Sequence, residues 1–395
     1  MTTTEAPEAT LANLAGGYGP TLAMHESAKI ASVHAIPYAI PYRKPLNFAS
    51  GSISVADNVV VQVRTSDGVV GTAEALPRPY TYGETQSSIV AAIEDVFAPS
   101  IVGLGLFARE QVRARVDRTV GNPSAKAAID MAIWDAIGRT LDVSVHKLLG
   151  GYTDSLTVSH MLGFAAPAQV AAEAVQLYER YGIQSFKIKV GRRPIQDDIA
   201  VCRAVREAVG SQAEIYIDGN RGWSAAEASQ AISRLGDVGL ARVEELCPAD
   251  DVLSRRWLVQ QCSVPFVADE SVPTPADVTR EILSGAATAV NIKVARTGFS
   301  DSLRVANLAE GLGIPSNIGN QIDGHITTAC SLAFGASQRV TARHSAELSN
   351  YLDLEDSLLT GPLSIEGGEM RVVDGSGLGF EIDESKLEHY RIDNA

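Results

Sequence analysis

Cysteine is scarce in this sequence, and none of it is paired. Cys202, Cys247, Cys262 and Cys330 stand far apart and form no CxxC motif. That excludes a disulfide frame and a thiolate zinc site, and reads as reduced thiols in a cytoplasmic protein. No apolar run is long enough to span a bilayer. The opening MTTTEAPEATLANLAGGYGP has neither a basic leading segment nor a continuous apolar stretch, so no secretory signal is read there. Positive charge is in short supply: 33 Lys plus Arg against 47 Asp plus Glu, a net charge of −14. Such a field repels nucleic acid and anionic membrane, so neither is an expected partner. A small anionic substrate stays open, because a local site can be positive inside a negative protein.

What is present describes a soluble globular protein, with 45% apolar and 20% charged residues. Its 395 residues exceed one ordinary core. That length calls for two domains, or one large α/β barrel with additions. Residues 1–28, acidic and containing Gly, Ala and Pro, read as a flexible arm. From about Ile30 the pattern is β-like, and VVVQVRTSDGVVGTAEAL is two apolar runs joined by Ser66-Asp67-Gly68, a hairpin signal. Helical spacing follows in SAKAAIDMAIWDAIGRTL, with Ser124 as the expected N-cap. Residues 29–150 therefore read as a small α+β domain that ends at Gly150-Gly151.

After Gly151 short apolar strands alternate with helical stretches for at least seven units: LTVSHMLG, SFKIKVG, EIYIDGN, ARVEEL, PFVADES, AVNIKVA and IPSNIGN. The helices between them are expected over 167–181, 195–209, 224–236, 251–261, 275–284 and 300–312. Repeated βα units need a parallel sheet, and this many fit a (β/α) barrel over 151–357 better than an open sheet. The eighth strand falls somewhere in QRVTARHSAEL. The tail, 358–395, is again β-like and Gly-rich, and is expected to return to the first domain.

Barrel chemistry sits at the C-terminal ends of the strands. There the second strand carries Lys187 and Lys189, the third Asp218 and Asn220, the fourth Glu244 and Glu245, the fifth Asp269 and Glu270, and the sixth Lys293. Asp218, Glu244, Asp269 and Lys293 follow one another at steps of 26, 25 and 24 residues, one βα unit each. A single acid at a strand end reads first as the N-cap of the next helix. Three in consecutive units, beside inward lysines, repel one another unless a hard divalent cation neutralises them, and Mg²⁺ takes such oxygen ligands. Asp218, Glu244 and Asp269 thus read as a metal triad, with Mn²⁺ as a substitute ion. A lone KxK suits a solvated edge strand, but inside a closed barrel two lysines need partners. Lys189 and Lys293 lie across the barrel and would flank a carboxylate substrate from opposite faces. Nearby positive charge would lower an amine towards the range of a general base. Loss of the proton next to the carboxylate then gives a metal-stabilised enediolate.

These segments resemble the muconate lactonizing enzyme subgroup of the enolase superfamily, over about residues 30–390. The resemblance rests on KAAIDMAIWDAIGRTLDVSVHKLLGG, FKIKVG, IDGNRGW, VEELCPADD, VADES, NIKVARTGF and GSGLGFEID. It implies a modified TIM barrel with an α+β capping domain completed by the C-terminal tail, Mg²⁺, and a homodimer or homo-octamer. It also implies Lys189 and Lys293 as the two opposed bases, Lys187 as a binder of the substrate carboxylate, and Asn220 and Glu270 behind the metal ligands. Two departures stand out. Glu244-Glu245-Leu246 replaces the usual proline after the fourth-strand acids, so Glu245 competes as a ligand. The seventh strand reads NIGNQIDGHI, offering Asn320, Gln321, Asp323 and His325. Asp323 is taken as a substrate contact, against the other readings of Asp323 and His325 as a base pair or as a loop acid and a helix-start histidine. From the capping domain NFASGS (Asn47–Ser52) and RPYTYGET (Arg78–Thr85) would overhang the rim, with Tyr82 as the named contact and Tyr80 and Arg78 beside it. Trp223 is expected to pack.

The expected function is a Mg²⁺-dependent isomerase, either a muconate cycloisomerase or a racemase or epimerase of amino-acid derivatives. The alternatives are dehydration of a hydroxy acid or hydroxyproline by the same chemistry, and a Schiff-base lysine aldolase, which leaves the carboxylate triad without a role.

Overall fold

The β-like pattern after Ile30 folds into an antiparallel meander, β1 (Ile30–Phe48), β2 (Gly51–Thr65) and β3 (Val70–Ala75). The structure, a computed structural model, describes residues 28–48 and 51–393. The 1–27 part of the expected arm and Ala49 and Ser50 of the NFASGS stretch lie outside the described residues. The β2–β3 turn closes as Ser66-Asp67-Gly68 predicts, with the Gly68 N–H donating to the Thr65 carbonyl at 3.0 Å. Val59, Val60, Val61 and Val63 of β2 are buried.

Helix α1 (Gln86–Ala91) runs on as a π turn through Phe97, and α2 (Arg109–Val116) precedes the long α3 (Pro123–Leu141). The start of α3 is not capped by Ser124. Its cap position is Asn122, without a side-chain bond, and the free N–H groups of Ser124 and Ala125 go to the Glu84 carboxylate at 2.9 and 3.2 Å. A long-range carboxylate thus fills the local role of a Ser cap. Short α4 (Val145–Leu149) ends at Gly150.

The barrel strands are β4 (Ser155–Leu162), β5 (Ser185–Lys189), β6 (Glu214–Asp218), β7 (Val243–Glu244), β8 (Phe266–Ala268), β9 (Ala289–Ile292), β10 (Ser316–Ile318) and β11 (Ala346–Glu347). They pair in parallel in the order β10-β9-β8-β7-β6-β5-β4-β11. Helices α5 (Pro167–Tyr181), α6 (Ile195–Val209), α7 (Ala225–Arg234), α8 (Val252–Gln261), α9 (Pro275–Ser284), α10 (Val294–Leu312) and α11 (His325–Ser337) connect them. No ladder joins β10 to β11. Across that seam Asn320 donates its N–H to the Glu347 carboxylate and its Nδ2 to the Glu347 carbonyl, both at 3.1 Å. Trp223 is packed in the core, as expected.

Two corrections concern the later elements. The helix expected over 300–312 begins at Val294 and breaks at Gly298, where φ is 60°. Asp130 of α3 accepts from the Phe299 and Ser300 N–H groups at 2.7 and 2.9 Å and so caps the resumed helix from outside. A Cβ on Gly298 would stand 2.6 Å from the Asp130 Oδ2, so glycine is required twice over there. The tail is less β-like than its pattern. Its strand β12 (Glu369–Arg371) pairs antiparallel with β4 of the barrel, and only then does the chain reach the first sheet's helix, where the Leu378 N–H donates to Asp135 at 2.7 Å. It closes with α12 (Glu384–Tyr390). Among the described residues no helix is long and apolar enough to cross a membrane.

Candidate active site

Strand register fixes which side chains share the rim. Lys189 is level with Asp218, Asp218 with Glu244, and Asp269 follows directly on β8. The three acids are buried, each at 0% exposure, so their charges must be met inside the barrel. Lys189 Nζ lies 2.6 Å from Asp218 Oδ2 and 2.6 Å from Asn220 Oδ1. Lys293 Nζ contacts Asp269 Oδ2. Lys187 Nζ reaches Glu347, Glu244 and Asp218 at 2.7, 2.8 and 3.1 Å.

Electrostatics follow from this packing. Burial opposes charge on Lys187 and Lys293, but the touching carboxylates outweigh it and hold both amines above their usual range. The lowering expected for a general base therefore requires the acids' charge to be taken up by something else. Burial also works against a charged Asp218, yet Lys189 and Lys187 hold it below the carboxylate range. Glu244 is pushed well above that range by burial, with Asp218 and Glu347 adding to it and Lys187 opposing.

Asp218, Glu244 and Asp269 are the residues that would hold a divalent cation. As the side chains stand, each is drawn onto an ammonium, and among the described residues no three acids, histidines or cysteines converge on one point. The chemistry of the donor set nonetheless fits: three oxygen ligands on consecutive strands, with Glu244 Oε2 buried and without a hydrogen-bond partner. Glu245 does not compete. At φ 36° its side chain turns away from Glu244, accepting from the Asp269 N–H at 2.7 Å and Ser271 Oγ at 2.9 Å and pairing with Arg255 at 3.2 Å. It braces the backbone that presents Asp269.

A cavity of about 140 Å³ opens above these acids, lined by Lys189 and Lys293 together with Asn220, Glu270, Tyr82, Arg78 and Gln321. Asn220 joins Lys189 to Glu270 through its two amide atoms, the second bond being 2.9 Å. The Tyr82 hydroxyl accepts from Arg296 at 2.9 Å. Exposed Tyr80 also lines the cavity. A larger cavity of about 350 Å³ lies between α2, α3 and the start of α10, away from the strand ends.

Two sequence expectations change here. Lys187 sits one pleat deeper than Lys189, has all three hydrogens facing carboxylates, and is not part of the cavity wall. Asp323 is off the wall too: its carboxylate accepts from the Gln321 N–H at 2.8 Å and Ser331 Oγ at 3.1 Å. His325 opens α11 and packs on Tyr351 with ring centroids 4.9 Å apart, which matches the helix-start reading rather than the base pair. Sequence reasoning missed Glu347, whose signal was an acid ending the eighth strand, and Arg296, three residues after Lys293. Four of the six described non-glycine residues at positive φ (Asn220, Arg221, Glu245 and Ile322) lie on this rim, where strained backbone tends to collect.

Comparison with known proteins identifies the family. Residues 169–386 match the enolase C-terminal domain-like family, and residues 30–150 match the mandelate racemase / muconate lactonizing enzyme N-terminal domain. A muconate lactonizing enzyme from Mucobacterium Smegmatis, solved with muconolactone, is 60% identical and superposes with a TM-score of 0.91, covering 92% of this chain and 100% of that one. The dipeptide epimerase from Enterococcus faecalis V583, solved with Mg and the dipeptide L-Leu-L-Tyr, is 30% identical with a TM-score of 0.85, over 89% and 99% of the two chains. Chloromuconate cycloisomerase of Cupriavidus necator is 32% identical over 92% of this chain and 99% of its own. With both of its halves matched, the chain belongs to the mandelate racemase / muconate lactonizing enzyme family and is an isomerase of the enolase superfamily.

Proposed function

We propose that this isomerase is a Mg²⁺-dependent muconate cycloisomerase, interconverting a cis,cis-muconate-type dicarboxylate and its lactone. The observation that carries the reading is the 60% identity to an enzyme solved with muconolactone, against 30% to the dipeptide epimerase. The cavity supports it, because Lys189 and Lys293 both face the space above the acids.

In the lactone-forming direction one carboxylate oxygen attacks the far double bond and forms the new C–O bond. The π pair of that bond moves to the carbon next to the other carboxylate. A lysine ammonium then gives that carbon a proton, and the reverse direction removes it. Lys189 and Lys293 are the two candidates for that transfer, one for each face. Asn220, bonded to Lys189 and Glu270, fixes where the Lys189 amine points. A divalent cation held by Asp218, Glu244 and Asp269 would neutralise the substrate carboxylate as charge builds on its oxygens. Lys187 and Glu347 set the charge balance beneath those ligands.

A second reading, racemisation or epimerisation of an amino-acid derivative, is favoured by the two opposed lysines, since proton removal and return on opposite faces needs both. Incubating the Mg²⁺-loaded protein with cis,cis-muconate, dipeptides and N-acyl amino acids separates the two. Muconate consumption with lactone appearing by NMR is the expected result. Inertness towards muconate, with α-proton exchange in a dipeptide or N-acyl amino acid, overturns the first reading in favour of the second.

A further inference from the structure

The cavity wall where the capping domain meets the barrel carries unsatisfied polar atoms. Arg78 Nη2 is buried with no hydrogen-bond partner, and so are both amide atoms of Gln321, a residue only 5% exposed. The other cations of the described cavity wall are matched: Lys189 with Asp218, Lys293 with Asp269, and Arg221 with Glu270. Arg78 has no carboxylate in ion-pair contact, although Asp323 and Glu74 lie near enough to favour its charge against burial. Its Nη1 donates to the Pro77 carbonyl at 2.6 Å, which fixes the guanidinium and leaves Nη2 free.

Gln321 is held just as firmly. It precedes Ile322, a β-branched residue at φ 63°, a conformation costing on the order of 1–3 kcal/mol. Asn320 Oδ1 accepts from the Ile322 and Asp323 N–H groups, and Asn320 is itself tied to Glu347. The loop is therefore strained into one shape, and in that shape Gln321 is part of the cavity wall while its buried amide has nothing to bond. Leaving buried donors unmet is costly unless a ligand meets them.

We propose that Arg78 and Gln321 form a subsite for the distal carboxylate of a dicarboxylic substrate, the carboxylate that attacks in ring closure. This rests on the cycloisomerase reading and adds the group that positions the nucleophile. Arg78 Nη2 and the Gln321 NH₂ both donate, and a carboxylate oxygen accepts from both. Holding one oxygen leaves the other free to form the C–O bond, and the held oxygen becomes the lactone carbonyl. A substrate with an apolar or cationic tail would leave these donors unmet or face the Arg78 charge, so the pair selects diacids.

The test compares hexanedioate with hexanoate binding to the Mg²⁺-loaded protein by calorimetry, for wild type, Arg78→Met, Arg78→Lys and Gln321→Leu, with thermal melts to check folding. Wild type should prefer the diacid by about 30-fold, the effect of one or two hydrogen bonds to a charged group. Arg78→Met and Gln321→Leu should each cut diacid affinity about tenfold while leaving the monoacid within about twofold. Arg78→Lys should restore part of the loss. Equal losses for both acids, or no loss, overturn the subsite, as does muconate turnover with unchanged KM in Arg78→Met. If the diacid preference vanishes in the variants but wild type does not turn over muconate, the subsite stands and the cycloisomerase reading falls.

Discussion

Arg296 Nη1 donates at once to Asp269 Oδ1, at 2.8 Å, and to the Tyr82 hydroxyl, at 2.9 Å. One guanidinium thereby links an acid of the barrel rim to the capping-domain loop above it, and its Nη2 is fixed on the Asn291 carbonyl at 3.0 Å. Arg296→Met should leave the Asp269 charge short of a partner and free the Tyr82 loop. We expect Mg²⁺ affinity to change by about tenfold and stability to fall by about 3 kcal/mol, typical of breaking a buried pair. Calorimetric Mg²⁺ titration and urea unfolding measure both, and wild-type values for both would remove Arg296 from the account.

The lysines should be separable from the fold. Lys189→Ala and Lys293→Ala are each expected to lower lactone formation, the one that delivers the proton by about 10²–10⁴-fold, the usual weight of a proton-transferring group. Circular dichroism should show both variants folded. A near-native rate in either assigns that lysine no part in the transfer.

Chelation by EDTA should abolish turnover, and added Mg²⁺ should restore it. Asp218→Asn and Glu244→Gln should weaken Mg²⁺ binding by at least about tenfold, since each neutralises one of three carboxylates. Unchanged affinity in either variant would take that residue out of the ligand set.

Asp323 predicts a pH effect on stability. Burial pushes its carboxyl up to about 7, against hydrogen bonds from Gln321 and Ser331. The folded protein therefore binds this proton more tightly than the unfolded chain, whose value is near 4. That contribution is complete below about pH 4 and is lost as pH rises through 7. Burial holds His325 at about 4, which works the other way and adds stability as pH rises from about 4 to 6.5. Asp323→Asn should therefore be favoured over wild type increasingly from pH 4 to 7, by a few kcal/mol at most. Parallel stability curves for the two proteins across that range would contradict the assignment.

Much of this was readable in the residues, and the reasons are physical. Regular βα spacing placed Asp218, Glu244, Asp269 and Lys293 on successive strands, because period and strand length are local properties. The hairpin at Ser66-Asp67-Gly68 is local too. What escaped was set by distant partners. Glu84 capping α3 and Asp130 capping the second half of α10 are contacts 40 and 170 residues apart. Glu347 was hidden because the eighth strand could be placed only within QRVTARHSAEL, which left its C-terminal end, and so the acid there, unassigned. Gln321 and Asp323 were both visible in NIGNQIDGHI, but which of them faces the cavity depends on the positive φ at Ile322, which sequence does not announce for a β-branched residue.

The central claim is that a lysine moves a proton at the carbon beside a bound carboxylate. The most direct measurement is lactone formation from cis,cis-muconate in D₂O, followed by NMR. The account predicts one deuterium on the carbon next to the free carboxylate, delivered to a single face, with labelled product forming about 10²–10⁴-fold more slowly in the variant of the lysine that supplies it. Lactone formed without deuterium at that carbon, or labelled equally on both faces, would contradict it.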